Sequence, residues 1–380
     1  MESVRLSATS RPTVKCELQC AEYLGAGTSG SVYGLGPAPD GRRYAVKTVK
    51  LETDVPSAGQ LAECKLHASL PQHDALLQYF FSWTATQTLH ILLERVDSEL
   101  WDSVDGPKGS VDVSERTEWA EALLSAVSCL HAHGIAHRDI SPWNCFLANH
   151  VEPASHRPGS GGNEPTSSHQ ALKVGDFGLA CRVQPTGSAT NLGGLFGMET
   201  DGFAPLDDSA VGSLYSAPEL GSEGGYEGKE VDIFSAGMTL FAIWHAVVQQ
   251  EPSGDGQQHD LTTDVETLKT TGELPAGWAA AAGPVGDLIR QMVSHDPQQR
   301  PAAADAVALF RAAAASGQRM GAPTASKELP AATKDTTTST ARRGGLIGVA
   351  SGWVGWVGRI CTGRRMSGRI SPAPAREVVL

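Results

Sequence analysis

Eight residues, His137-Arg138-Asp139-Ile140-Ser141-Pro142-Trp143-Asn144, constrain this chain more than any other stretch. They follow the pattern H-R-D-x-x-x-x-N, which sets an imidazole, a guanidinium, a carboxylate and a carboxamide at fixed spacing. Such a loop needs a scaffold. The 380 residues suffice for one large domain or two ordinary ones, and 41% hydrophobic content is ordinary for a globular protein. Charged residues at 19%, with Gly 42 and Pro 22, point to long irregular segments as well.

Hydrophobic texture divides the chain. From about Cys16 to Val96 come short strand-like runs, at Tyr23 onward, 44–49, 76–83 and 89–93, with a helical pattern at 58–70 among them. Beyond Leu100 the texture is helical: 114–131, with Ser114 as the expected N-cap, then 231–248, 285–293 and the Ala-rich 302–315. Strands first and helices after imply an α+β fold in two lobes. Three stretches break the pattern: 149–170, rich in Pro, Gly, Ser and His, reads as an inserted surface loop; 183–210 has little periodicity; 316–380 is a low-complexity tail.

Bulk chemistry excludes some roles. A net charge of −12 gives no overall pull toward nucleic acid. The first thirteen residues lack an apolar h-region, so no secretory signal is expected. Seven scattered cysteines read as free thiols in a reducing compartment, and the expected location is cytoplasmic.

The octapeptide is one of seven pieces. Gly25, Gly27, Gly30 and Val32 form G-x-G-x-x-G-x-V between strand-like runs, where glycines let a hairpin lie close over phosphates; a plain glycine turn is the bland alternative. Ala45-Val46-Lys47 follows on a later strand, with a solvated lysine as its alternative reading. Asp176-Phe177-Gly178, Ala217-Pro218-Glu219, Asp232 and Arg300 come in that order after His137-Arg138-Asp139. Histidines 131, 133 and 137 cluster in sequence, but no further Cys or His stands at ligand spacing, so no metal site is read there.

Together these residues resemble the eukaryotic protein-kinase family over about residues 16–315. The resemblance implies a two-lobed α+β kinase fold, with an N-lobe at 16–96, a C-lobe at 97–315, an inserted loop at 149–170 and an activation segment at 176–219, after a lead-in at 1–15. It implies serine/threonine kinase activity with ATP and magnesium as cofactors and a protein as substrate. Asp139 is then the catalytic base, and Asn144 and Asp176 hold metal. Lys47 holds the α/β-phosphates and is positioned by Glu63, which lies on the helix after its strand, whereas Glu52 is too close. ATP contacts are implied at Gly25, Gly27, Gly30, Val32, Ala45, Lys47, the hinge residues Glu94 and Val96, and Phe146 on the floor. Glu219 with Arg300 resembles a structural ion pair, and Asp232 an anchor of the catalytic loop.

The runs 79–83, 174–181, 231–238 and 261–268, the last followed by Leu274-Pro275, are similar to the kinases of translation initiation factor 2 alpha subunit. That subunit is thereby the implied substrate, with a role in translation initiation or stress. Wee-type and NimA-type kinases share some of this texture.

Two positions depart from the family pattern. Ser141 stands where a catalytic-loop lysine is usual, and losing one such contact costs about 10²–10³ in rate by analogy with an oxyanion-hole donor. The remaining positions are intact, so an active kinase is expected, with a nucleotide-binding pseudokinase scaffold as the alternative. The segment 211–219 is one residue short, and Ser213 takes the place of the usual Thr. Arg138, preceding Asp139, is the residue with which an activation-segment phosphate would pair; Thr186, Ser188, Thr190, Thr200, Ser209 and Ser213 are the candidate acceptors, though any one of them reads first as a plain polar loop residue.

Within the tail, residues 346–357 are apolar with Trp353 and Trp356, flanked by Arg342, Arg343, Arg359, Arg364, Arg365 and Arg369. Twelve residues are too few to span a bilayer, which needs about 20. A disordered tail is expected, with a weak membrane-interface contact as the alternative.

Overall fold

The computed structural model describes residues 3–5, 17–27, 30–36, 38, 40–105, 112–149, 170–183, 213–221, 226, 228–248 and 260–320. The tail beyond residue 320, nearly all of the inserted loop and the phosphorylation candidates other than Ser213 lie outside these residues.

The strand-like runs of the N-terminal region pair into one antiparallel sheet. Its strands are β1 (Ser3–Arg5), β2 (Glu17–Gly27), β3 (Gly30–Leu35), β4 (Tyr44–Lys50), β5 (Tyr79–Ala85) and β6 (Thr88–Glu94), in the spatial order β1-β2-β3-β4-β6-β5. Alternation along β6 sets the two packing layers. Leu89, Ile91 and Leu93 pack with Leu51, Cys64, Leu77 and Phe146, while Leu92 faces the other way onto Leu35, Tyr44 and Val46. Helix α1 (Ala58–Ala68) covers the first face. Its start is a reciprocal cap: Gln60 N–H donates to the Ser57 hydroxyl, and Ser57 N–H donates to the Gln60 side-chain oxygen.

The C-terminal region is helical around a few short strands: β7 (Ser98–Glu99), α2 (Leu100–Val104), α3 (Val113–Ala132), β8 (Ile135–Ala136), β9 (Cys145–Asn149), β10 (Gln170–Val174) and β11 (Cys181–Arg182). Strands β10, β9 and β7 form one small sheet and β11 pairs with β8. Residues Asn149 and Gln170 are direct partners across β9 and β10, so the inserted segment leaves and re-enters at adjacent positions. Four helices complete the region: α4 (Gly228–Val248), α5 (Leu261–Thr271), α6 (Trp278–Met292) and α7 (Ala303–Met320). Helix α4 is long and apolar enough to cross a membrane, yet 89% of its most apolar window is buried by the rest of the protein. A helix that is apolar all round belongs in a core, and α4 is the core. The fold is a two-lobed α+β architecture.

The structure corrects some local expectations. The N-cap of α3 is Asp112, whose carboxylate accepts from Ser114 N at 2.8 Å, so Ser114 lies inside the helix; a carboxylate there also meets the positive end of the helix dipole. Strand β5 begins at Tyr79, because Leu76 instead bridges to Val174. Helix α6 starts at Trp278, seven residues before the expected 285–293 span, and kinks at Gly283 (φ 51°) just before Pro284. Trp278 anchors that first turn by stacking on Phe241 at 4.3 Å.

Candidate active site

Strand parity brings the first site residue into place. Tyr44 and Val46 of β4 enter one packing layer, so Lys47 emerges on the opposite face, in register with Val32 on one side and Ile91 on the other. Lys47 is only 3% exposed; its Nζ lies 2.9 Å from Glu63 Oε1 on α1 and 3.6 Å from Asp176 Oδ1. Burial opposes charge on Lys47, but the Asp176 and Glu63 carboxylates overcome it and hold its pKa above the ordinary value. Burial likewise pushes the Asp176 carboxyl up, and the Lys47 ammonium outweighs it, leaving the pKa lowered. Both groups are therefore ionised at neutral pH. Together with His67, Leu77, Ile91 and Phe146 they line one recess between the lobes.

The glycine hairpin lies beside this recess. Gly25 pairs with Val32 and Gly27 with Gly30 across β2 and β3, while Thr28 and Ser29 at the tip lie outside the described residues. Gly30 has φ 138°, and a Cβ there would stand 2.2 Å from the Thr48 carbonyl oxygen. Only glycine lets β3 approach β4 at that point.

The hinge is tied to both sides. Glu94 N–H donates to Gln78 O at 2.9 Å, and its carboxylate pairs with Lys173 at 3.0 Å. Asp97 receives both Arg43 guanidinium nitrogens at 2.5 and 2.7 Å and the backbone N–H of Asn149 at 2.7 Å. Burial raises the Asp97 carboxyl, the Arg43 bonds and the Asn149 N–H lower it more, and the net shift is downward. Val96 and Phe146 pack in the same apolar cluster as Leu77 and Leu93, with Ala45 one pleat from Lys47 on the same face.

Asp232, fully buried in α4, holds the loop that carries Asp139. It accepts His137 N–H and Arg138 N–H at 2.7 Å each and pairs with His131 Nε2 at 2.9 Å. A buried carboxylate needs such donors, and these three satisfy it. His137 Nε2 donates to Gly175 O at 3.0 Å, which leaves Nδ1 to accept Asp139 N–H at 3.3 Å. One neutral tautomer serves both bonds, and burial, its largest influence, lowers the His137 pKa in agreement. Asn144 Nδ2 donates to the Asp139 backbone oxygen at 2.8 Å and to its carboxylate at 2.7 Å. Ser141 is buried, and its carbonyl accepts Asn144 N–H at 3.1 Å to close the turn. The histidine run thus has structural duties: His133 bonds Cys129 O, and no metal-binding cluster occurs among the described residues.

Arg300 clamps Glu219 with two guanidinium nitrogens, one at 3.0 Å, and its Nε donates to Ser294 O at 2.8 Å. Glu63, Lys47 and Asp176 are thus brought together, as are Asp139 and Asn144; Gly25, Gly27, Gly30 and Val32 lie on the adjoining hairpin.

Sequence reasoning missed several contributors. His67 sits one turn after Glu63 on α1, and its ring packs on Phe177 at 4.5 Å while Nε2 bonds Leu77 O at 2.8 Å. The i, i+4 spacing from Glu63 was the available signal. Trp143 stacks on Trp101 at 4.6 Å and meets Tyr215 edge-on at 5.4 Å, bracing the 137–144 loop against α2 and the 213–219 segment. Lys269 of α5 donates to the Ser213 carbonyl and to Ser216 Oγ. Tyr226 bonds Arg138. Nothing in the sequence marks these last contacts.

Comparison with known proteins fits this geometry. The chain is 27% identical over 284 residues to a Wee1-like protein kinase of Arabidopsis thaliana, covering 74% of this chain and 46% of that protein. It is 24% identical over 308 residues to calcium-dependent protein kinase 14 of the same plant, covering 79% of this chain and 50% of the relative. It is 23% identical over 329 residues to the eIF-2-alpha kinase GCN2 of Arabidopsis thaliana, covering 74% of this chain and 24% of that relative. The chain therefore spans half or less of the length of each of these relatives. Residues 18–309 match the family described as protein kinase domain, and the chain belongs to that family.

Proposed function

We propose that the chain is a serine/threonine protein kinase that transfers the γ-phosphoryl group of ATP to a protein hydroxyl. The observation that carries this reading is the joint placement of Lys47, Glu63 and Asp176 in one recess with Asp139 and Asn144 on a loop fixed by Asp232. Lys47, ionised and held by two carboxylates, is set to bind phosphate oxygens. Asp139, oriented by Asn144, accepts the proton of the acceptor hydroxyl.

Asp176 and Asn144 fit magnesium by chemistry, since they offer hard oxygen donors, and the bond from Asn144 Nδ2 to Asp139 leaves its Oδ1 to coordinate. When bound, magnesium neutralises phosphate charge. Glu94, Val96, Ala45, Val32 and Phe146 support adenine contacts at the hinge and floor.

For the substrate, the runs shared with the kinases of translation initiation factor 2 alpha subunit, and a relative named eIF-2-alpha kinase, support that subunit. Ser141 favours a second reading, a slow or inactive scaffold. Cys64, Cys129, Cys145 and Cys181 are free thiols, which supports a reducing, cytoplasmic setting.

Incubation with radiolabelled ATP and either the initiation-factor alpha subunit or a generic basic protein tests the reading. Label on serine or threonine of the alpha subunit, abolished by Asp139→Asn and by Lys47→Met, is expected. Equal label from those variants, or none from the wild type, overturns it.

A further inference from the structure

Arg138 is the residue with which an activation-segment phosphate would pair, and in the structure it is already engaged. Its φ is 66°, in the left-handed region that a non-glycine residue rarely takes. Such a conformation persists only where its surroundings over-determine it. Three bonds do so. Its backbone N–H donates to Asp232 Oδ1 at 2.7 Å, its Nε to Leu179 O at 2.6 Å, and its Nη1 to the Tyr226 hydroxyl at 2.9 Å. Arg138 is 9% exposed and Tyr226 6%, and no carboxylate forms an ion pair with Arg138 among the described residues.

The arrangement joins three parts of the site. Asp139 follows Arg138 directly, Leu179 lies three residues after Asp176, and Tyr226 follows the 3₁₀ turn Pro218–Gly221 that contains Glu219. A phosphate-dependent device would leave the guanidinium open to an anion. Here neutral oxygens take the Nε donor and one Nη1 donor, and Arg138 and Tyr226 are both buried. We propose that Tyr226 is a positioning residue whose hydroxyl completes this clamp, so that Asp139 is aligned without a phosphate on the activation segment. The proposal rests on the phosphoryl-transfer reading for its kinetic consequence and on geometry alone for the clamp.

The test uses the full chain, treated with phosphatase until its intact mass carries no phosphate. The treated protein is expected to keep the kcat of the untreated one. Tyr226→Phe removes only the hydroxyl; its kcat is expected to fall roughly tenfold to hundredfold, the value of a hydrogen bond to a charged group, with KM for ATP within about twofold. Amide exchange across residues 137–144 should quicken in the same variant, with exchange in β4 and β6 unchanged. Loss of turnover on dephosphorylation and recovery on rephosphorylation overturns the proposal, as does a Tyr226→Phe protein equal to wild type in kcat and exchange. If the wild type turns over no substrate in either form, the phosphoryl-transfer reading fails. Exchange then decides alone: faster exchange at 137–144 supports the clamp, and unchanged exchange overturns it.

Discussion

Glu63 reaches Lys47 across the gap between α1 and β4, Oε1 to Nζ 2.9 Å, so the position of the helix is read directly at the buried ammonium. Glu63→Gln removes one of the two charges that keep Lys47 ionised. The expected result is a fall in kcat/KM for ATP of about tenfold to hundredfold. Lys47→Met leaves Glu63 and Asp176 without their shared cation and should weaken nucleotide binding further. Titration with a fluorescent ATP analogue checks both; unchanged affinity in Lys47→Met would show that this recess does not hold the nucleotide.

Ser141→Lys restores the positive charge usual at that position in the family. Turnover is expected to rise, by up to about 10²-fold, while ATP affinity stays nearly constant. Steady-state kinetics separates the two. If turnover does not move, another group already supplies that charge.

His67 gives the fold a pH dependence. Burial against Phe177, its largest influence, lowers its pKa to about 4 despite the bond to Leu77 O. The unfolded chain titrates near 6.5, so between pH 6.5 and 4 it binds more protons than the folded one. Stability is therefore undiminished by this residue above pH 6.5 and declines as pH falls toward 4, by on the order of 3 kcal/mol. Buried His137 shifts in the same direction and adds to the effect. Urea unfolding at pH 7.5, 6 and 5 should show the loss, and His67→Phe should flatten it. An equal decline in the variant would assign the dependence elsewhere.

Asp232→Asn places an NH₂ group among three donors, His137 N–H, Arg138 N–H and the His131 ring. A loss of about 3–5 kcal/mol is expected, as for a broken buried charge network, together with slower turnover. Chemical denaturation measures the first; a loss under about 1 kcal/mol would mean the loop holds its shape without the carboxylate.

Much of this was legible because spacing carries geometry. Period-two parity set Lys47 opposite Tyr44 and Val46, and one short connection set Glu63 on the next helix. The HRD and DFG pieces named Asp139, Asn144 and Asp176 directly. What stayed hidden depends on distance in sequence or on competing local signals. Tyr226 lies 88 residues from Arg138 and meets it only through the fold. Five threonines disguise α5, whose formation leans on the Asp260 cap and the left-handed Gly272. Ser114 looked like a cap because Asp112, two residues earlier, competes for the same role.

The pairing of Asn149 with Gln170 has a practical side. Twenty residues, 150–169, leave β9 and return to β10 at the same rung, and Gln170 Nε2 bonds Asn149 Oδ1 at 3.2 Å to fasten the junction. The entropy of closing such a loop grows only with the logarithm of its length, about 0.6 kcal/mol per doubling. An affinity tag of about twenty residues spliced between residues 155 and 165 doubles the loop and therefore costs the kinase domain only about 0.6 kcal/mol, and it offers a handle that leaves both chain ends untouched.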